Sequence, residues 1–252
     1  MKSTKKLGII GGMGSRAGYY FLKKVIEYCP AATDQDFIEI IHHNNSRIPD
    51  RTRCIVYDEA SPTPEIARSL QMFNENEVDV IALACNTSYF FYPEFSRYTD
   101  AIILHPVEIL RKYIQTNYPE VQKVGLLATT GTINTGLFHQ ELLSNGFEVV
   151  VPDPYDQEEA FMKSVYMKNG LKSSPVCQEA VDLMKSLVPK LLSKGAEVII
   201  GGCSEVPIVL NAFNVPVPFL DPMDLLAREA VAYCYGFGQS SMASPFQELA
   251  VG

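Results

Sequence analysis

Cys85 and Cys203 each close an apolar run and are each followed by small polar residues, in Ala84–Ser88 (ACNTS) and in Gly202–Glu205 (GCSE). A strand-to-helix turn of this kind is where open α/β sheets hold ligands. Backbone N–H groups at the start of the following helix favour negative charge, so they activate a thiol and receive a carboxylate. A thiolate nucleophile needs an imidazole partner, yet none of the four histidines (His42, His43, His105, His139) adjoins either cysteine in sequence. Two matched thiols suit a different reaction: one thiolate removes a proton from carbon and the second thiol returns one to the opposite face. That is the geometry of racemisation. The other four cysteines, Cys29, Cys54, Cys177 and Cys234, read as small hydrophobes.

The elements that must position these thiols repeat along the chain. Leu7–Gly14 (LGIIGGMG) returns as Val124–Gly131 (VGLLATTG), Val78–Thr87 (VDVIALACNT) as Ala196–Glu205 (AEVIIGGCSE), and Leu104–Leu110 (LHPVEIL) as Leu220–Leu226 (LDPMDLL). The offsets are 117, 118 and 116 residues, so the halves are in register. Short β-rich runs alternate with longer amphipathic stretches, which predicts an α/β protein with parallel sheets flanked by helices. The expectation is two similar lobes, residues 1–104 plus 215–252 and residues 105–214, related by a pseudo-two-fold axis with the active site in the cleft between them. Strands are predicted near 7–10, 37–41, 78–84 and 101–104, and again near 123–128, 148–151, 197–200 and 217–219. Helices are predicted near 17–28, 64–74, 134–144, 157–168, 177–194 and 223–235.

Bulk properties narrow the function class. The 252 residues carry a net charge of −8, which repels nucleic acid and anionic lipid, and no local basic patch offsets it. The basic start, Met1–Lys6, is followed by an apolar run that stops at Gly11 and Gly12, too short for a signal peptide or membrane span. A cytoplasmic protein is expected. The cysteines lie 25 or more residues apart with no CxxC pair, which reads as reduced thiols. The small-residue tail from Gly236 is expected to be weakly ordered.

Taken together, these motifs resemble the cofactor-independent aspartate/glutamate racemases, in their aspartate racemase branch, from about Leu7 to about Ala230. The likeness is carried by GIIGGMG, IPDRT (Ile48–Thr52), ACNTS, GLLATTGT (Gly125–Thr132), GCSE and LDPMD (Leu220–Asp224). The resemblance implies Cys85 and Cys203 as paired acid and base, Arg51 on one substrate carboxylate and Lys168 on the other. It also implies Asn86, Thr87, Thr129, Thr130, Thr132 and Ser204 as binders of carboxylate or ammonium. The substrate is then a small acidic amino acid, with no pyridoxal phosphate, no metal and a homodimeric assembly. Arg51 suits its part because a guanidinium clamps a carboxylate with two parallel hydrogen bonds. A segment from Pro152 to Pro175, carrying Lys163, Lys168 and Lys172, is expected to close over the site and exclude water. The chain departs from the family pattern in having Ser88 and Tyr89 where many relatives carry a small residue and histidine. It also has Gly12, Met13 and Gly14 where glutamate racemases carry an Asp-Ser-Gly run, which favours aspartate.

Other readings use the same residues. Gly12, Gly14 and Ala17 form GxGxxA after a strand, but the next strand ends in His42 and His43 rather than in an acidic residue for a ribose, which argues against a dinucleotide. His42 and His43 are neighbours on a strand, so they point to opposite faces and do not share a metal. A related isomerase of maleate or hydantoin type would use one cysteine to attack carbon. A catalytically weak relative would bind an acidic amino acid without turnover.

Overall fold

Lys6–Gly11 is buried along all but its first residue, as a strand covered on both faces must be, and forms β1 of the first sheet. The computed structural model describes residue 3 and residues 5–237. Beside β1 lie β2 (Glu39–Asn44), β3 (Val80–Leu83) and β4 (Ile102–Ile103), all parallel, in the order β2-β1-β3-β4. The second sheet repeats the plan with β5 (Lys123–Leu127), β6 (Glu148–Val150), β7 (Val198–Gly201) and β8 (Phe219–Leu220), in the order β6-β5-β7-β8. The protein is therefore α/β, with two parallel four-stranded sheets of matching order. The sequence repeat is the cause: each VDVIAL- or AEVIIG-type run becomes the third strand in its sheet.

Helices bury one stripe each. Ser15–Tyr28 turns Ala17, Phe21 and Val25 inward, and Gln178–Ser193 turns Ala180, Met184, Leu187 and Leu191 inward. Among the described helices of seven or more residues, two lie outside the sequence expectation, Arg51–Tyr57 and Pro106–Asn117. Proline at a first helical position is favoured because its missing N–H is one no helix start can pair.

The chain divides into two compact units, residues 1–50, 61–109 and 223–252, and residues 51–60 with 110–222. The sequence expectation assigned 51–60 to the first lobe. In the structure this stretch packs against the Thr130–Asn134 helix of the second unit, because Gly131 leaves room for it: a Cβ on Gly131 would lie 2.9 Å from the Thr52 Cα.

The glycine run after β1 serves packing. Gly12 adopts φ +87°, and a Cβ there would stand 2.2 Å from the Asn45 carbonyl carbon and 2.6 Å from the Ser46 nitrogen. Asn45 is itself fixed: its side-chain amide donates to the Glu65 carbonyl (3.0 Å) and to Ser69 Oγ (3.1 Å), and its side-chain oxygen accepts from Arg68 (2.9 Å). His42 leans over the same glycines, its Nε2 occupying the space a Cβ on Gly11 would need, 2.6 Å away. Among the described residues no group of three or more His, Cys, Asp or Glu is arranged to hold a metal ion. No described helix is long and apolar enough to cross a membrane. The expected weakly ordered tail lies, from residue 238 on, outside the described residues.

Candidate active site

In the first unit, β3 ends at Leu83 and Cys85 follows as the residue preceding a 3-10 helix, Asn86–Phe91. Cys85 is buried, 5% exposed, in extended conformation. The turn is locked locally: the Ser88 hydroxyl donates to the Cys85 carbonyl at 2.7 Å. Asn86 is 1% exposed, and neither its side-chain oxygen nor its nitrogen has a hydrogen-bond partner. Burying an unpaired amide costs about 1–3 kcal/mol, a cost native proteins retain where a ligand or water completes the group. Thr87 is buried beside it.

Tyr89 does not stand ready for a substrate. Its hydroxyl accepts from the Leu83 N–H at 3.0 Å and its ring meets His105 edge-on at 5.1 Å, so it braces the end of β3. Burial, the larger cause, pushes its phenol far above the usual range, and it stays neutral.

In the second unit, β7 ends at Gly201 and Cys203 follows at the equivalent position, also 5% exposed. The Cys203 thiol donates to Glu205 Oε2 at 3.0 Å, and the Ser204 hydroxyl donates to the same oxygen at 3.2 Å. Burial above all, then the Glu205 carboxylate, pushes the Cys203 thiol well above its ordinary value, while Lys172 pulls it down. Cys203 therefore rests protonated. A thiol that ionises later in the folded chain than near its ordinary 9.0 contributes stability below that pH and loses it as pH rises further. Glu205→Gln removes one of the raising causes, so alkylation of Cys203 by iodoacetamide, followed by mass spectrometry from about pH 7 to about pH 10, should rise at lower pH than in the wild type. An unchanged profile would show that the carboxylate is not felt.

The carboxyl end of β5 neighbours that of β7, with Leu127 opposite Gly201. Thr129 caps the Thr130–Asn134 helix, its hydroxyl oxygen accepting from the Thr132 N–H. The Thr52 hydroxyl donates to Thr129 Oγ1 at 2.9 Å, and Thr129 and Thr132 share a further bond at 3.0 Å. This chain of hydroxyls fastens the Arg51–Tyr57 helix to the end of β5, with Arg51 buried in its first position. The Thr130 hydroxyl donates to Glu158 Oε1 at 2.7 Å.

The segment expected to close over the site is packed into the second unit. Phe161, Val165 and Leu171 are fully buried in the cluster that holds Leu127, Leu187 and Cys203. Lys168 is exposed on it. Beyond Lys168 the chain reverses through Asn169 (φ +58°) and Gly170, where a Cβ would lie 2.7 Å from the Ser164 carbonyl oxygen. The Leu171 N–H donates to that carbonyl at 2.9 Å, and Lys172 comes to rest with Nζ donating to the Tyr166 hydroxyl at 3.2 Å. Lys172 is thus a lysine whose field reaches Cys203. Lys163 is engaged by Glu179 at 3.0 Å.

The structure groups Cys85, Asn86 and Thr87 at one strand end. It groups Cys203, Ser204, Thr129, Thr130 and Thr132 at the neighbouring strand ends of the other sheet, with Arg51 tied to them through Thr52. A family profile described as Asp/Glu/Hydantoin racemase matches residues 10–230. The chain belongs to this family. As a family of racemases it is a family of isomerases. The broad specificity amino-acid racemase RacX of Bacillus subtilis (strain 168) is 28% identical over 231 residues, 90% of this chain and 96% of that protein. The aspartate racemase structure from Picrophilus torridus aligns with a TM-score of 0.81 at 24% identity, covering 92% of this chain and 94% of that one. A glutamate racemase from Francisella tularensis subsp. tularensis SCHU S4, solved in complex with D-glutamate, aligns with a TM-score of 0.68 at 18% identity, covering 92% and 81%. At these identities the two structures speak for the fold.

Proposed function

We propose that this isomerase interconverts L- and D-aspartate without a cofactor, Cys85 and Cys203 exchanging the roles of base and acid on one α-carbon. The observation that carries the reading is the equivalence of the two thiols. Each lies two residues beyond the third strand of its sheet, in sheets of the same order, and each is 5% exposed. Cys203, held protonated by burial and Glu205, starts as the proton donor, and Cys85 removes the α-proton. As the C–H bond breaks, charge moves onto the α-carboxylate, where Arg51 and the N–H groups at the helix starts stabilise it, while Lys172 meets the other carboxylate. Asn86, Thr87, Thr129, Thr132 and Ser204 orient the rest of the substrate. Two carboxylates match two cations, which favours an acidic amino acid, and Gly12, Met13 and Gly14 in place of the Asp-Ser-Gly run of glutamate racemases favour aspartate. The protein acts as a homodimer in the cytoplasm.

The broad specificity named for RacX favours a second, wider reading in which other amino acids are also substrates. Incubation in heavy water without pyridoxal phosphate, followed by NMR of the α-proton, tests both. Both enantiomers of aspartate should lose the α-proton signal and interconvert. Exchange of non-acidic amino acids at comparable rates would establish the wider range, and no exchange with any amino acid would reject the racemase reading.

A further inference from the structure

Gln157 opens a π-helical turn, Gln157–Met162, and such turns are uncommon and concentrate at functional sites. It is 7% exposed. Its amide nitrogen donates to the Ala128 carbonyl at 2.9 Å and reaches Thr130 Oγ1 at 3.3 Å, which fixes the orientation of the amide. The other end, Oε1, is buried and has no hydrogen-bond partner. Ala128 is the residue just beyond β5, and its methyl lies 3.1 Å from where a Cβ on Gly202, the neighbour of Cys203, would be. Ala160 and Phe161 of the same turn share the buried cluster of Cys203. The unpartnered oxygen therefore sits at the strand ends that carry the thiol.

Its chemistry selects one part of an amino acid. Arg51, Lys172 and the helix-start N–H groups are donors suited to carboxylates. Thr130 is already spent, donating to Glu158 and accepting from Gln157. A carboxylate brought to the carbonyl oxygen of Gln157 would be repelled, whereas an ammonium needs an acceptor of this kind. Resting on the racemase reading above, we propose that Gln157 is a substrate-binding residue whose Oε1 accepts a hydrogen bond from the α-ammonium group. It would thereby select amino acids over plain dicarboxylic acids and fix the α-carbon between its proton donor and acceptor.

The test compares aspartate with succinate, the same four-carbon diacid lacking the ammonium. In Gln157→Met, the KM for aspartate should rise about 10- to 100-fold, the loss expected for a hydrogen bond to a charged group, while the Ki of succinate stays within about twofold. Gln157→Lys keeps a donor toward Ala128 and sets a cation where the ammonium belongs. It should lose aspartate and bind succinate at least as well as the wild type, a reversal that a folding defect does not produce. A parallel rise for both ligands in both variants would assign Gln157 to structure and overturn the proposal, as would an unchanged aspartate KM. If the wild type itself neither racemises aspartate nor lets succinate compete, the racemase reading fails instead.

Discussion

Cys85→Ala and Cys203→Ala will each lower the rate of aspartate racemisation by about 10²- to 10⁴-fold, the range a positioned acid or base contributes. Losing either thiol breaks the cycle at a different point. Without Cys85 the proton on its side of the carbon is never removed, and without Cys203 a carbanion formed by Cys85 is reprotonated from the side it came from. A circular-dichroism assay at the aspartate band reads the loss for both variants. Proton exchange in heavy water separates them, because each single variant should retain exchange into one enantiomer far better than conversion to the other. Conversion within about tenfold of wild type in either variant would remove that cysteine from the chemistry. Both sites are small and bounded by their own turns, so the variants should remain folded, with melting temperatures near that of the wild type.

The second large effect is on stability. Gly12→Ala puts a methyl group 2.2 Å from the Asn45 carbonyl carbon at a residue with φ +87°. Neither side yields easily, since Asn45 is held by Glu65, Arg68 and Ser69. Left-handed strain and overpacking each cost about 1–3 kcal/mol, so the variant should lose about 3 kcal/mol or more. For a chain of this length that lowers the melting temperature by about 6–12 °C. Gly146→Ala is the control, because Gly146 has the same φ of +87° but nothing within 4 Å of its added Cβ. It should lose only the backbone share. Equal effects at the two glycines would mean that the contact with Asn45 relaxes without cost.

The sheets were legible because a strand buried on both faces must be an unbroken apolar run, and the chain contains that run twice in matching order. The equivalent placement of two thiols was legible for the same reason: repetition singled out two cysteines among six. What the sequence hid depends on turns. Lys168 stands in a stretch whose period continues a helix, but the Asn169–Gly170 pair, itself a turn signal, reverses the chain and brings the field of Lys172 to Cys203. Gln157 stands among Asp156, Glu158 and Glu159, a run that reads as solvated surface. In the structure it opens a π-helical turn and its amide reaches the Ala128 carbonyl. Arg51 was named by its motif, yet the helix that carries it went unforeseen because Thr52, its anchor, meets its partner 77 residues away.

The reversal at Gly170 has a further implication for how this protein tolerates change. Backbone bonds such as Leu171 N–H to the Ser164 carbonyl shape it, so the cation's place depends on the count of residues as well as on Gly170 and on the Tyr166 hydroxyl. Insertion or deletion of a single residue there would swing the ammonium away from the sulfur and leave every strand intact.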